Sequence, residues 1–257
     1  MPDAEALARM YGPTYASVGG DDVSLEDPKQ PERLLSVLGR REPGQFVDFG
    51  CGSGSLLVRA RGLGWNAVGV EFDAEVAGKV AVDSGCSVLL GIEGLLASST
   101  RADVLHLGDV VEHLTTPGEV LKKLMGALAP GGWLVSQGPL EAGPCLFATT
   151  LRKARSLRAA RPVEMPPYHV LQATVSGQRK LFDRVGLETL EFLVTEVDWP
   201  APSRLSWEVM GNPRSLALLG LRRLSRAASS LSHGRLGNRY FYIGRLPQTA
   251  SLMASSA

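Results

Sequence analysis

Two groups of residues in this 257-residue chain are spaced for chemistry. The first is Val47-Asp-Phe-Gly-Cys-Gly-Ser-Gly54, a glycine-rich turn between an apolar run and a helix-forming one. Glycines there let the backbone bend tightly and approach a ligand closely. A dinucleotide site uses G-x-G-x-x-G, with the pyrophosphate on a helix N-terminus. Here the spacing is G-x-G-x-G, and an acid, Asp48, precedes it. A carboxylate at that place repels a pyrophosphate and suits an ammonium group. A second acid, Glu71, ends the next apolar run, within the window used for ribose hydroxyls. An adenosine carrying an amino acid satisfies both carboxylates.

The second group is Asp109-Val-Val-Glu112-His113. On a helical turn, Asp109, Glu112 and His113 stand at i, i+3 and i+4, on one face. An imidazole titrates near neutral pH, so His113 suits a general base acting on a substrate hydroxyl. The alternative is that His113 packs under the following loop and Glu112 neutralises it. His106 lies in an apolar run and reads as a satisfied core histidine; His233 carries no signal. Cys51 is small enough for the turn and need not react. Tyr11 and Tyr15 stand where they could close over a substrate, whereas Tyr240, Phe241 and Tyr242 read as strand packing.

Alternating strands and helices must hold these groups. Residues 31–40 form a helix, with Pro31 in its first turn and Leu34, Leu35 and Leu38 on one face. Strands are expected at 45–49, 65–71, 86–90, 103–107 and 133–137, with helices from Ser55 and over 73–84. Thr116-Pro-Gly-Glu119 reads as a capping box opening a helix over 119–128, which Pro130-Gly-Gly132 ends. Strand–helix alternation implies a mostly parallel sheet covered on both faces. Beyond Gly138 the texture changes: five prolines over 139–168 and four bases within 152–158 suggest a lid or substrate insertion outside the core. Then come a helix over 175–185, a strand over 187–197, a basic amphipathic helix within 213–232 and an aromatic strand over 238–245. The chain is expected to be one domain. It comprises an arm (1–30), a ligand-binding core (31–138), the insertion (139–170), the rest of the sheet (171–247) and a tail (248–257).

Composition narrows the classes. Hydrophobic residues are 44 % and charged residues 21 %, which excludes wholesale disorder and a fibrous repeat. Lys and Arg number 27 against 26 Asp and Glu, so bulk charge does not point to nucleic acid. Its distribution is uneven. Residues 1–50 hold nine acids and five bases, and residues 201–257 hold eight arginines and one acid, Glu208. The basic helix suits an anionic acceptor or a membrane surface. Three scattered cysteines argue against a disulfide framework and fit a reducing cytoplasm. The first residues lack the pattern of a signal peptide, and no run has the length of a membrane span.

Taken in order, D-F-G-C-G-S-G, V-G-V-E-F-D, A-D-V-L-H-L-G-D-V-V-E-H-L and L-A-P-G-G-W-L-V resemble the class I S-adenosylmethionine-dependent methyltransferases. The resemblance is clear over about 40–140 and fainter through Pro166-Pro-Tyr-His169. It implies a Rossmann-like fold with a mostly parallel seven-stranded sheet. It implies that Gly50, Cys51, Gly52 and Gly54 pass under the cofactor's methionine, with Asp48 toward its amino group. Glu71 would take the ribose hydroxyls, Phe72 would cover the adenine, and Ile92 and Glu93 would meet the adenine edge. Leu107, Gly108 and Asp109 would line the methionine end. In the ubiquinone-pathway O-methyltransferases and small-RNA 2′-O-methyltransferases, E-x-x-E-H plus a later His holds a divalent metal. Asp109, Glu112, His113 and His169 look like that pattern, with Asp in place of the first Glu. Such mixed ligands suit Mg²⁺, Mn²⁺ or Zn²⁺. The implied reaction is O-methylation of a small-molecule hydroxyl, with His113 the favoured base and His169 second. The alternatives are a nucleic-acid 2′-O-methyltransferase-like enzyme and a non-catalytic S-adenosylmethionine-binding protein.

Overall fold

The structure is a computed structural model, and it describes residues 29–156, 169–197, 205–233 and 235–248. The expected arm and most of the tail, Tyr11 and Tyr15 included, lie outside the described residues, as do 157–168 of the insertion.

Seven strands make one sheet: β1 Gln45–Phe49, β2 Asn66–Glu71, β3 Ser87–Leu90, β4 Ala102–Gly108, β5 Leu128–Pro139, β6 Glu188–Thr195 and β7 Arg239–Arg245. Their order is β3-β2-β1-β4-β5-β7-β6, with β7 antiparallel to both neighbours. The chain reverses its direction of spread between β1 and β4, so their carboxyl ends frame a crevice where α/β sheets bind ligands. Nine helices accompany the strands among the described residues: α1 Lys29–Leu38, α2 Ser55–Gly62, α3 Ala74–Ser84, α4 Gly91–Ala97, α5 Pro117–Met125, α6 Leu146–Ser156, α7 Val175–Arg184, α8 Trp207–Met210 and α9 Pro213–Leu231.

The strand period of two sends alternate side chains to opposite faces. Phe46, Val104, Val135, Phe241 and Ile243 pack beneath Leu34, Val37 and Leu38 of α1. Val47, Phe49, Leu105, Leu107, Leu134, Tyr240 and Tyr242 form the opposite core with Leu121, Leu124 and Phe182. Tyr240 and Tyr242 are therefore strand packing, and Phe182 stacks on Tyr242 at 3.9 Å between centroids. The three cysteines are free and buried.

Several expectations need correction. The strand expected over 86–90 is shorter, Ser87–Leu90, and runs into α4, whose Ile92 and Leu95 fill the core. The Thr116 side chain caps nothing; α5 starts at Pro117, whose fixed φ suits a first turn. Pro130-Gly-Gly132 lies inside β5, where the pairing with β4 shifts register, so it is a strand irregularity and not a helix stop. The segment after Gly138 is not all outside the core. Leu140, Cys145 and Phe147 are buried, and the Phe147 amide donates to Ser225 Oγ of α9 at 3.0 Å.

Candidate functional site

The glycine turn leaves β1 at the crevice. Gly50 and Cys51 donate to the Val70 carbonyl of β2 at 2.8 and 3.1 Å, which folds the turn against the neighbouring strand. Gly50, Gly52 and Gly54 have φ of 80°, 48° and 74°, the left-handed region that L side chains disfavour. A side chain at Gly54 would run into Val80 and one at Gly50 into Val110, while Gly52 faces open space. The turn is thus braced from beneath and bare above. Val110 belongs to the loop after β4, so the two sequence clusters meet at Gly50.

Glu71 ends β2 beside this turn. Its Oε2 accepts from the Gly52 amide at 3.2 Å and its Oε1 from the Phe72 amide at 2.7 Å. The carboxylate is thereby fixed in direction while staying partly exposed. Phe72 is 54 % exposed and meets Phe49 edge-on at 5.3 Å. Ile92 is buried in the core below, and Glu93 sits in the first turn of α4. Leu107 is buried too; Gly108 and Asp109 lie partly buried at the end of β4.

Asp48 does not line the turn. It is buried beneath it, and its Oδ1 lies 2.7 Å from His106 Nδ1. Strand register puts Asp48 beside His106 on one face of the sheet. A buried carboxylate takes the partner that register supplies, so Asp48 faces His106 and not the open side of the turn. His106 is a core histidine as expected, but only half satisfied: Nδ1 is paired and the buried Nε2 has no hydrogen-bond partner. Asp48 still acts on the turn through its charge. The Cys51 thiol is pushed up to about 12 by burial and then by Asp48 and Glu71, which oppose a second negative charge. The same field favours a cation at the turn.

The acid–histidine segment also departs from expectation. Only Val111–His113 is helical, as a 3-10 turn, and Asp109 has φ 52°. Asp109 is therefore outside the helical register that would align it with Glu112 and His113. Its carboxylate instead meets Arg239 Nη2 of β7 at 2.5 and 2.6 Å. Asp109 is accordingly not among the grouped ligand atoms. Glu112, His113 and His169 are: one ligand atom of each lies within 4.8 Å of the others. The Val170 and Leu171 amides both donate to the Glu112 carbonyl, and this brings His169 against His113, with ring centroids 5.0 Å apart. His169 Nδ1 pairs with Glu141 Oε1 at 2.8 Å, which orients its ring.

Glu112 is 4 % exposed, and its Oε1 has no hydrogen-bond partner. Burial pushes its carboxyl well above the usual range, and the Asp109 charge adds to the effect. Below it, the buried Tyr240 hydroxyl meets Ser136 Oγ at 3.1 Å and accepts from Gln178 Nε2 at 3.2 Å. Burial, then Glu112, raises the Tyr240 phenol. A half-buried trio of one carboxyl and two imidazoles, with an underused buried oxygen, fits a divalent cation. Sequence reasoning missed Arg239 and Glu141. Both face partners far along the chain, and no local pattern marks them.

Comparison with known proteins places the chain in a family. Residues 26–191 match the family described as a methyltransferase domain. The ubiquinone biosynthesis O-methyltransferase of Burkholderia cenocepacia is 31 % identical over 97 residues, which are 34 % of this chain and 41 % of that protein. Its Burkholderia thailandensis counterpart is 31 % identical over 100 residues, 36 % and 43 % of the two chains. The chain thus matches under half the length of these curated relatives. Among solved structures, the Haloferax volcanii complex of a Trm112 methyltransferase activator and a putative methyltransferase matches with a TM-score of 0.58 and 16 % identity, over 91 % of this chain and 96 % of the other. The plantazolicin methyltransferase BamL, bound to a substrate analogue and S-adenosylhomocysteine, matches with 0.56 and 14 % identity, over 93 % and 94 %. At such identities these structures speak for the fold.

Proposed function

The chain belongs to the methyltransferase-domain family, and we propose that it transfers a methyl group from S-adenosylmethionine to a hydroxyl of a small molecule. The observation that carries this is the Glu71 carboxylate locked to the Gly52 amide over a bare glycine turn. That arrangement sets two carboxylate oxygens, each with a lone pair to spare, beside a turn whose exposed glycine carries no side chain, which suits the hydroxyls of a ribose and repels a diphosphate.

Gly50, Cys51, Gly52 and Gly54 would cradle the methionine portion, and Phe72 would lie against the adenine, with Ile92 and Glu93 at its edge. Leu107, Gly108 and Asp109 would wall the far side. Bound there, S-adenosylmethionine supplies a methyl already activated on a sulfonium, so the protein mainly positions the acceptor and excludes water. Asp48 and Glu71 place negative charge behind the turn, which favours the sulfonium cation in the ground state. His113 would accept the hydroxyl proton as the O–CH₃ bond forms and the S–CH₃ bond breaks. His169, oriented by Glu141, is the second candidate. The acceptor class fits the ubiquinone-pathway relatives in kind.

The grouped Glu112, His113 and His169 support a metal-assisted variant of the same step. They would hold Mg²⁺, Mn²⁺ or Zn²⁺, which would acidify a bound hydroxyl. Asp109 does not belong to that set.

Calorimetric titration tests the reading. S-adenosylhomocysteine should bind and NAD⁺ should not; no uptake of the former would overturn it. A labelled-methyl screen of polyols and phenols then identifies the acceptor. With an acceptor in hand, His113→Ala should lower turnover at least tenfold and leave S-adenosylhomocysteine affinity unchanged. Turnover unchanged after chelator treatment would remove the metal from the mechanism.

A further inference from the structure

The connection from β6 to β7 runs through α8 and α9, and α9 is amphipathic in an unusual sense. The face it turns to the protein is a polar seam. Arg222, Ser225 and Ser229 are buried there beside Leu219. The Arg222 guanidinium lies 3.8 Å over the Phe147 ring and donates to the Val197 carbonyl at 3.2 Å. Ser225 accepts the Phe147 amide. The outward face carries leucines set among arginines. Leu216, Gly220, Leu224, Ala227 and Leu231 recur at helical spacing on the exposed side, and Leu224 and Leu231 are 66 % and 82 % exposed. α8, which packs beside α9, exposes Trp207 (86 %) and Met210. A helix that only needed solvent would show the reverse arrangement.

Charge identifies what the strip meets. Arg214, Arg223 and Arg235 are exposed around it, and Glu208 is the one acid in residues 201–257. A second copy of the chain would bring the same cations together. An anionic bilayer surface answers both features. Leucines and a tryptophan enter the headgroup boundary, while arginines snorkel to lipid phosphates. The helix is 19 residues, about 28 Å at 1.5 Å per residue, enough to lie along a membrane. No described helix is long and apolar enough to cross one.

We propose that the outward face of α8 and α9 is a docking surface for anionic lipid, on which the chain lies peripherally. The proposal is independent of the methyl-transfer reading, since it uses no residue of that site.

The test is co-sedimentation of the full chain with vesicles of phosphatidylcholine alone or mixed equally with phosphatidylglycerol. Binding should be at least tenfold tighter to the mixed vesicles and should weaken as salt is raised. Leu224→Asp with Leu231→Asp should abolish it, and Arg214→Glu with Arg223→Glu should remove the preference for phosphatidylglycerol. All four positions are exposed, so thermal midpoints should stay within a few degrees of the parent. Failure of the parent chain to bind mixed vesicles more tightly than neutral ones would overturn the proposal. So would unchanged binding by folded Leu224→Asp/Leu231→Asp. A dimer in light scattering that the leucine variants dissociate would assign the face to a second copy instead.

Discussion

Replacing Glu71 by Gln asks the glycine turn directly what it binds. Each carboxylate oxygen already accepts one backbone amide, Gly52 at 3.2 Å and Phe72 at 2.7 Å, and each retains a lone pair for a ribose hydroxyl. A glutamine keeps one oxygen. Its NH₂ must then face a backbone N–H, donor against donor, and cannot accept a hydroxyl. One charge-assisted bond to the ligand is lost, about 1.5–3 kcal/mol, and S-adenosylhomocysteine should bind roughly 10- to 150-fold more weakly. The unliganded protein loses one bond at a partly exposed site, about 1 kcal/mol, so its thermal midpoint should fall by only about 2–4 °C. Isothermal titration supplies the first quantity and a thermal scan the second. An affinity within threefold of the parent, with the fold intact, would show that Glu71 does not hold the ribose.

Two more outcomes follow from buried charge. Asp48→Ala removes the partner of His106 inside the sheet, and breaking a buried pair costs about 3–5 kcal/mol. The thermal midpoint should drop by roughly 6–20 °C, and a drop under 2 °C would mean that the pair is not structural. Glu112 is a carboxyl raised in the folded state by burial and Asp109. The unfolded chain therefore releases its proton first, and stability falls as pH rises from the ordinary carboxylate range toward the folded-state value. Glu112→Gln removes this dependence. Measured in chelator, its midpoint relative to the parent should rise between pH 5 and pH 8; a constant difference would refute the shift.

How far the site was legible depended on range along the chain. The glycine turn could be read because its conformation is encoded by the glycines themselves. Glu71 could be read because a fixed βαβ length carries it back to the turn. The Glu112-His113 pair could be read because its members are adjacent. The conformation of Asp109 could not, since a left-handed φ of 52° at an aspartate breaks the helical spacing that any pattern argument assumes. The capping-box reading of Thr116 failed for the same kind of reason. The motif was present, but the backbone at Thr116, φ −127° and ψ 63°, departs from the extended conformation of a capping residue, and the hydroxyl makes no cap hydrogen bond.

The amino-acid sequence alone thus determined the strand–helix alternation, the bare turn and the family it resembles, because these rest on local conformational preference and on hydrophobic period. Tertiary structure alone decided who pairs with whom. Asp48 finds His106 and Asp109 finds Arg239, 58 and 130 residues away. His169 reaches His113 because a later loop donates two amides to the Glu112 carbonyl. Buried charges and imidazoles must be satisfied by whatever the sheet's strand order sets beside them, and that order is fixed by the packing of the whole core.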